Sequence, residues 1–174
     1  MSYCAIITFK DGKAKDAIEY RNAWGGAARI WNALFDKYLK NPSIPYHTWI
    51  CPRGTQALWG LAKNKMIPIF ERAIHVSTFD LAYIRRENFT KHCGYLRKFD
   101  ETYPVCGQVN HLKTWADKIE TLDCEAIGFH GTSVAENSWI NWDEEKDGSE
   151  KVPLSEGFEV YEWLGDVSSK EENS

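Results

Sequence analysis

The sequence lacks any run of apolar residues near the ~18–20 needed to cross a bilayer. Its start shows no secretory leader, because the apolar stretch Tyr3–Phe9 is short and ends at Lys10-Asp11-Gly12. Zinc-type spacing is missing too: there is no Cys-x-x-Cys, no His-x-x-x-His and no His-Glu-x-x-His. His92 and Cys93 are adjacent, and neighbours on a helix point ~100° apart, so the pair is not a chelate. Phosphate-cradling patterns of the Walker or Gly-x-Gly-x-x-Gly type do not occur. No repeat is visible. The cysteines at 4, 51, 93, 106 and 124 are odd in number and irregularly spaced, which excludes a closed disulfide framework and suits a reducing compartment. The expectation is a cytoplasmic protein without metal or cofactor.

What is present fits one globular domain. The chain has 174 residues, 43% hydrophobic and 14% aromatic, with a formal charge of -4. That length buries a core without staples. The mean charge hides a division. Residues 1–118 carry 18 Lys+Arg against 10 Asp+Glu, whereas residues 119–174 carry 3 against 15. Such a split marks either internal neutralisation or a surface for a basic partner. An overall acidic chain argues against direct nucleic-acid binding, despite the basic cluster Arg85, Arg86, Lys91, Arg97 and Lys98.

Pattern predicts an α+β fold with a mainly antiparallel sheet and three or four packed helices over residues 1–167, with 168–174 as a frayed acidic tail. Tyr3–Phe9 and Ala17–Tyr20 read as a hairpin turned at Asp11-Gly12. Ala27, Ile30, Trp31, Leu34, Phe35 and Tyr38 form a helical stripe. Trp24–Arg29 places two glycines and an arginine at its start, an arrangement that suits close packing or, with Arg29, an anion. A short helix runs from Thr55 to Lys63, and longer ones over 88–101 and 111–122. Ile74–Phe79, Ala82–Arg85, Glu125–His130 and Phe158–Leu164 read as strands, and Gly131–Ser133 as a turn. The predicted core is Ile6, Trp31, Leu34, Phe35, Val76, Leu96, Phe99, Trp115, Ile119 and Ile127.

Two features point to function. Eight tryptophans are many for this length, and Trp is enriched at binding hot spots. The acidic run Asp143–Glu150 reads as an exposed loop, and Trp139 and Trp142 beside it are the tryptophans expected to be exposed. Trp139, Trp142, Asp143, Glu144, Glu145 and Asp147 are therefore the candidate partner-binding residues. The second feature is Gly128-Phe129-His130-Gly131-Thr132-Ser133, which resembles the His-Gly-Thr element of ADP-ribosyltransferases. The resemblance implies NAD as cofactor and a catalytic set of His130, Thr132 and Glu162. Only 41 residues follow Ser133, fewer than that family places after the motif, so a plain strand end at His130 is the preferred expectation.

Several longer stretches, including Tyr20–Ala27, Ser77–Asp80, Arg86–Phe89 and Ala126–Asn137, resemble small accessory proteins carried by phages and prophages. That resemblance implies a protein acting in a host cytoplasm by binding a host protein with a basic surface. A stoichiometric inhibitor of a nucleic-acid-handling defence complex is the first expectation, since carboxylates can replace phosphates in a basic channel. The alternatives are the small NAD-dependent transferase and a structural or assembly protein of the virion.

Overall fold

The structure is a computed structural model that describes residues 3–21, 26–40, 52–104, 111–133, 138–143 and 148–165. Its centre is a five-stranded sheet in the order β2-β1-β4-β3-β7. These strands are β1 (Tyr3–Lys10), β2 (Lys13–Arg21), β3 (Ala82–Arg85), β4 (Ala126–Ser133) and β7 (Phe158–Glu159). All neighbours are antiparallel except β3 and β7. The β1–β2 hairpin turns at Asp11 and Gly12, both at positive φ (55° and 70°). That is the backbone a two-residue connection between right-twisted strands demands.

One face of the sheet carries helices α1 (Ala27–Tyr38), α2 (Pro52–Gly60), α3 (Ile69–Val76), α4 (Phe89–Thr102), α5 (His111–Ile119) and α6 (Val160–Leu164). Cys4, Ile6, Ala82, Ile84, Ile127 and Phe129 point into this layer. Two ion pairs lie within it. Arg29 pairs with Asp100, both side chains under a tenth exposed, and joins α1 to α4. Lys37 Nζ lies 2.8 Å from Glu71, whose other oxygen accepts from the Tyr38 hydroxyl at 2.6 Å, joining α1 to α3. Removing one partner strands a buried charge, Asp100 or Arg29 in the first pair and Glu71 in the second, whose Lys37 is itself exposed.

The opposite face has its own cover. Ala5, Ile7, Phe9, Tyr83 and Ala126 form a second apolar cluster with Trp139, Val152 and Leu154. These last three belong to the segment around a two-stranded ribbon, β5 (Ile140–Asp143) and β6 (Gly148–Lys151), registered Ile140↔Lys151 to Asp143↔Gly148. β1 and β4 are thus apolar on both faces, as strands buried on both sides must be.

The α+β class and the mainly antiparallel sheet match the sequence pattern, and nine of the ten predicted core residues are buried. Trp31 is only half-buried, and its indole donates to Oγ1 of the buried Thr78 at 2.8 Å. The helices number six among the described residues, not three or four. Ile74–Phe79 is not a strand: Ile74–Val76 ends α3, and Ser77 N donates back to Ala73 O. Seven of the eight α3 residues are buried, so this helix has no polar face to betray its period. Phe158–Leu164 is a strand for two residues only. Glu159 then accepts from Glu162 N at 2.7 Å and caps α6, which ends at Gly165 with φ 71°. Gly131–Ser133 is not a turn but the end of β4, with Ser133 paired to Tyr3. The tail 168–174 lies outside the described residues.

Burial sets two histidines far from their ordinary titration. His75 and His92 are fully buried, and burial pulls both pKa values down to about 3. An unfolded histidine titrates near 6.5. Below that pH the unfolded chain binds protons that the native chain refuses, so stability falls as pH drops through the window from about 6.5 towards 3. Urea unfolding between pH 7.5 and 5 should show a loss of about 1.4 kcal/mol per pH unit for each histidine once below ~6.5. His75→Phe should remove part of that slope. An equal slope in wild type and variant would show that His75 does not carry it.

Candidate functional site

The expected partner-binding set divides in the structure. Trp139 is not exposed: its relative exposure is 0%. Its ring meets Phe9 edge-on at 4.8 Å. A Cβ built on Gly128 would stand 2.5 Å from Trp139 Nε1, and one on Gly157 would stand 2.5 Å from its Cη2. Two glycines, one on the central strand and one before β7, therefore make the slot that the indole fills. Trp139 O accepts from Val152 N at 3.0 Å, and Leu154 N donates to Gly12 O at 3.0 Å. The indole is the bolt that fastens the ribbon to the sheet. An aromatic beside acidic residues suggested a surface anchor, and the space left by Gly128 was the signal in the sequence that went the other way.

Trp142 and Asp143 lie in β5, paired with Ser149 and Gly148. Asp143–Glu150 is therefore not wholly a loop, since both its ends are ribbon strand. Glu144, Glu145 and Asp147 fall outside the described residues.

The carboxylates of the acidic third that face the helices are taken up internally. Glu120 and Asp117 bind Arg97 at 2.7 and 2.9 Å, and Asp123 binds Arg86 at 3.1 Å. Arg86 also donates to the carbonyls of Leu122 and Cys124, tying that turn to β3. Glu162 lies 3.9 Å from Arg85. Glu159 is 3% exposed, accepts from Asn88 at 3.2 Å, and has its pKa raised by burial. The basic cluster seen in the sequence is thus partly neutralised, most closely at Arg97 and Arg86. Arg29 is equally committed, to Asp100 and to the Tyr103 carbonyl at 2.7 Å, and no anion is needed to explain it. Gly26, at φ 75°, meets the Cys4 sulfur where a Cβ would sit, so the glycine before α1 serves close packing.

The residues singled out by the ADP-ribosyltransferase resemblance lie on two elements, His130 and Thr132 on β4 and Glu162 on α6. His130 is 4% exposed on β4, with its pKa pulled down by burial against a smaller upward pull from Asp80. Glu162 is exposed on α6, and its Arg85 partner sits opposite Ala126. Ala126 and His130 are four residue steps apart, about 13 Å along β4. Thr132 is described in its backbone alone, within β4. Nucleophilic cysteine chemistry has no better footing. Burial pushes the Cys4 thiol up to about 11 and the Cys93 thiol up to about 12, so both stay protonated. His92 Nδ1 meets the Tyr161 hydroxyl at 3.1 Å, while Cys93 donates towards Ala116 O.

An open cleft of about 570 Å3 lies where the hairpin turn meets β3, lined by Tyr83, Arg85, Arg86, Glu87, Glu125 and Leu154. Its two arginines and two glutamates balance, and Glu125 already accepts from Gly12 N at 2.5 Å. Among the described residues no cluster of three or more His, Cys, Asp or Glu could hold a metal ion, and no helix is long and apolar enough to cross a membrane. No protein-family model, curated protein or solved structure matches the chain.

The slot beneath Trp139 yields a stability test. Trp139→Ala should cost about 3–5 kcal/mol by urea unfolding, the range for emptying a large aromatic site. Gly128→Ala should cost about 1–3 kcal/mol through overpacking. Wild-type stability in Gly128→Ala would show that the indole does not fill that slot.

Proposed function

We propose that the protein is an accessory protein of phage type that acts by binding, and that its ribbon layer docks on a basic surface of a host protein. A nucleic-acid channel in a host defence complex has the matching chemistry, and occupation of that channel would make the chain a stoichiometric inhibitor. The observation that carries this reading is the buried Trp139 anchor, which with Val152 and Leu154 holds the two ends of the ribbon against the sheet. From Ser138 to Glu156 the sequence has six Asp or Glu and two lysines. One of the lysines, Lys151, turns its ammonium onto the Lys15 carbonyl of β2 at 2.7 Å. Arg97, Arg86 and Arg85 bind Glu120, Asp123 and Glu162, which lie outside this segment. Trp142, Asp143, Glu144, Glu145 and Asp147 stay as the contact residues, with Trp139 as their support.

The test begins with capture of host proteins on the immobilised full chain, followed by competition with duplex DNA for whatever is captured. A basic protein that releases DNA when the chain binds supports the proposal. Simultaneous binding of DNA and chain, or capture of an acidic protein alone, overturns it. With the captured partner in hand, Asp143, Glu144 and Glu145 replaced together by Ser should slow association by about tenfold or more at low salt, with a smaller effect on dissociation. Unchanged association would remove the ribbon from the interface. Transfer of labelled ADP-ribose from NAD, lost in His130→Ala, would replace the binding function with the enzymatic one.

A further inference from the structure

β2 ends the order of the sheet, so among the described residues no strand pairs its outer side. Its inner side is irregular. The register with β1 slips between Ile7 and Phe9, and Lys15 and Asp16 together stand opposite Thr8. The Thr8 hydroxyl fills the gap: it accepts from Asp16 N at 3.2 Å and donates to Asp16 O at 3.3 Å. Both main-chain groups of Asp16 therefore point to β1. Successive strand residues alternate, so Ala17 and Glu19 turn theirs to the open edge. Both residues are exposed. One outward group is already covered. Lys151, the last residue of β6, donates its ammonium to the Lys15 carbonyl at 2.7 Å. A bulge and a lysine are two of the devices by which edge strands avoid pairing with other chains.

The two halves of the strand differ. Lys13, Lys15 and Asp16 put charge on the bulged and capped half, whereas Ala17, Ile18 and Tyr20 leave Glu19 as the one charge of the regular half before Arg21. That regular half fits its own copy. An antiparallel pair of β2 strands with its two-fold axis at Ile18 sets Ala17 opposite Glu19 twice, and the outward N–H and C=O groups of both residues are then satisfied across the axis. Ile18 meets Ile18, and Asp16 meets Tyr20. Further pairing stops at the guard. The next register position brings Arg21 of the other copy to Lys15, whose carbonyl Lys151 already holds. Three cations then share one place, and like charges directly opposite each other repel.

We propose that the β2 edge is a docking strand for a second copy of this chain, and that Lys151 on the Lys15 carbonyl restrains that pairing. The proposal does not depend on the basic partner of the preceding section. Sedimentation velocity over a range of concentrations compares wild type with Lys151→Met and Lys151→Arg. Lys151→Met should self-associate about tenfold more tightly than wild type, since one hydrogen bond and one cation leave each edge. Lys151→Arg keeps a cationic donor and should behave as wild type. Ala17→Pro loses an N–H that faces away from β1, so adding it to Lys151→Met should return the chain to the wild-type state. Matching circular dichroism and urea midpoints confirm that each variant is folded. Amide exchange places the contact without a second substitution: in Lys151→Met the Ala17 and Glu19 amides should exchange more slowly as the protein is concentrated. Equal association of Lys151→Met and wild type overturns the proposal. So does a Lys151→Arg chain that associates as Lys151→Met does, or an associated Lys151→Met whose Ala17 and Glu19 amides gain no protection.

Discussion

The seat of Trp139 is the constraint on which the second layer depends. An antiparallel sheet can leave one face to water, and here it does not. Ala5, Ile7 and Phe9 of β1 and Ala126 of β4 present an apolar face away from the helices, and the indole with Val152 and Leu154 covers it. The cover works because Gly128 and Gly157 present no side chain where the ring lies. A central strand normally loses stability at a glycine, and close approach of another group is the usual reason to keep one there. The ribbon is short, and an isolated two-stranded ribbon is marginal in water. Its order comes from being fastened to the sheet.

Charge follows the same division into layers. On the helical side, arginines and carboxylates close on each other: Arg97 on Asp117 and Glu120, Arg86 on Asp123, Arg29 on Asp100. Glu159 is consumed as a helix cap and Glu71 as an acceptor for Lys37 and Tyr38. The exposed pairs among these, at Arg97 and Arg86, add little stability, and their larger effect is to offset the positive charge of that surface. The imbalance of the whole chain is therefore concentrated in the segments from Ser138 to Gly165, where acid residues outnumber lysines and no arginine occurs.

The sequence made some of this legible and hid the rest for physical reasons. The first hairpin was readable because Asp11-Gly12 has the residues that positive φ requires. α1, α4 and α5 were readable because each keeps a wet face, so the apolar stripe stands out. α3 was not, because burial on nearly every side leaves Glu71, Arg72 and His75 inside, and a short apolar run then looks like a strand. The switch from β7 to α6 turns on one cap at Glu159, in a stretch whose alternation imitates a longer strand. The site was half legible. Acid and tryptophan were both in the sequence, but which tryptophan faces water depended on glycines far along the chain. Gly128 takes Trp139 into the core, while α6 leaves Trp163 outside. The similarity at Gly128–Ser133 has a packing role here: that glycine makes room for the indole, and His130 lies within the strand.

Trp139 is the main fastening of an otherwise weakly held layer to a sheet that stands without it. Amide hydrogen exchange on wild type and Trp139→Leu tests this directly, because the two outcomes separate by residue. The amides of Val152 and Leu154, which donate to Trp139 O and Gly12 O, should lose protection in the variant together with β5 and β6. Those of the β1–β4 ladder and of α4 should keep most of theirs. Retained protection across Ile140–Leu154, or an equal loss throughout the molecule, would contradict the account.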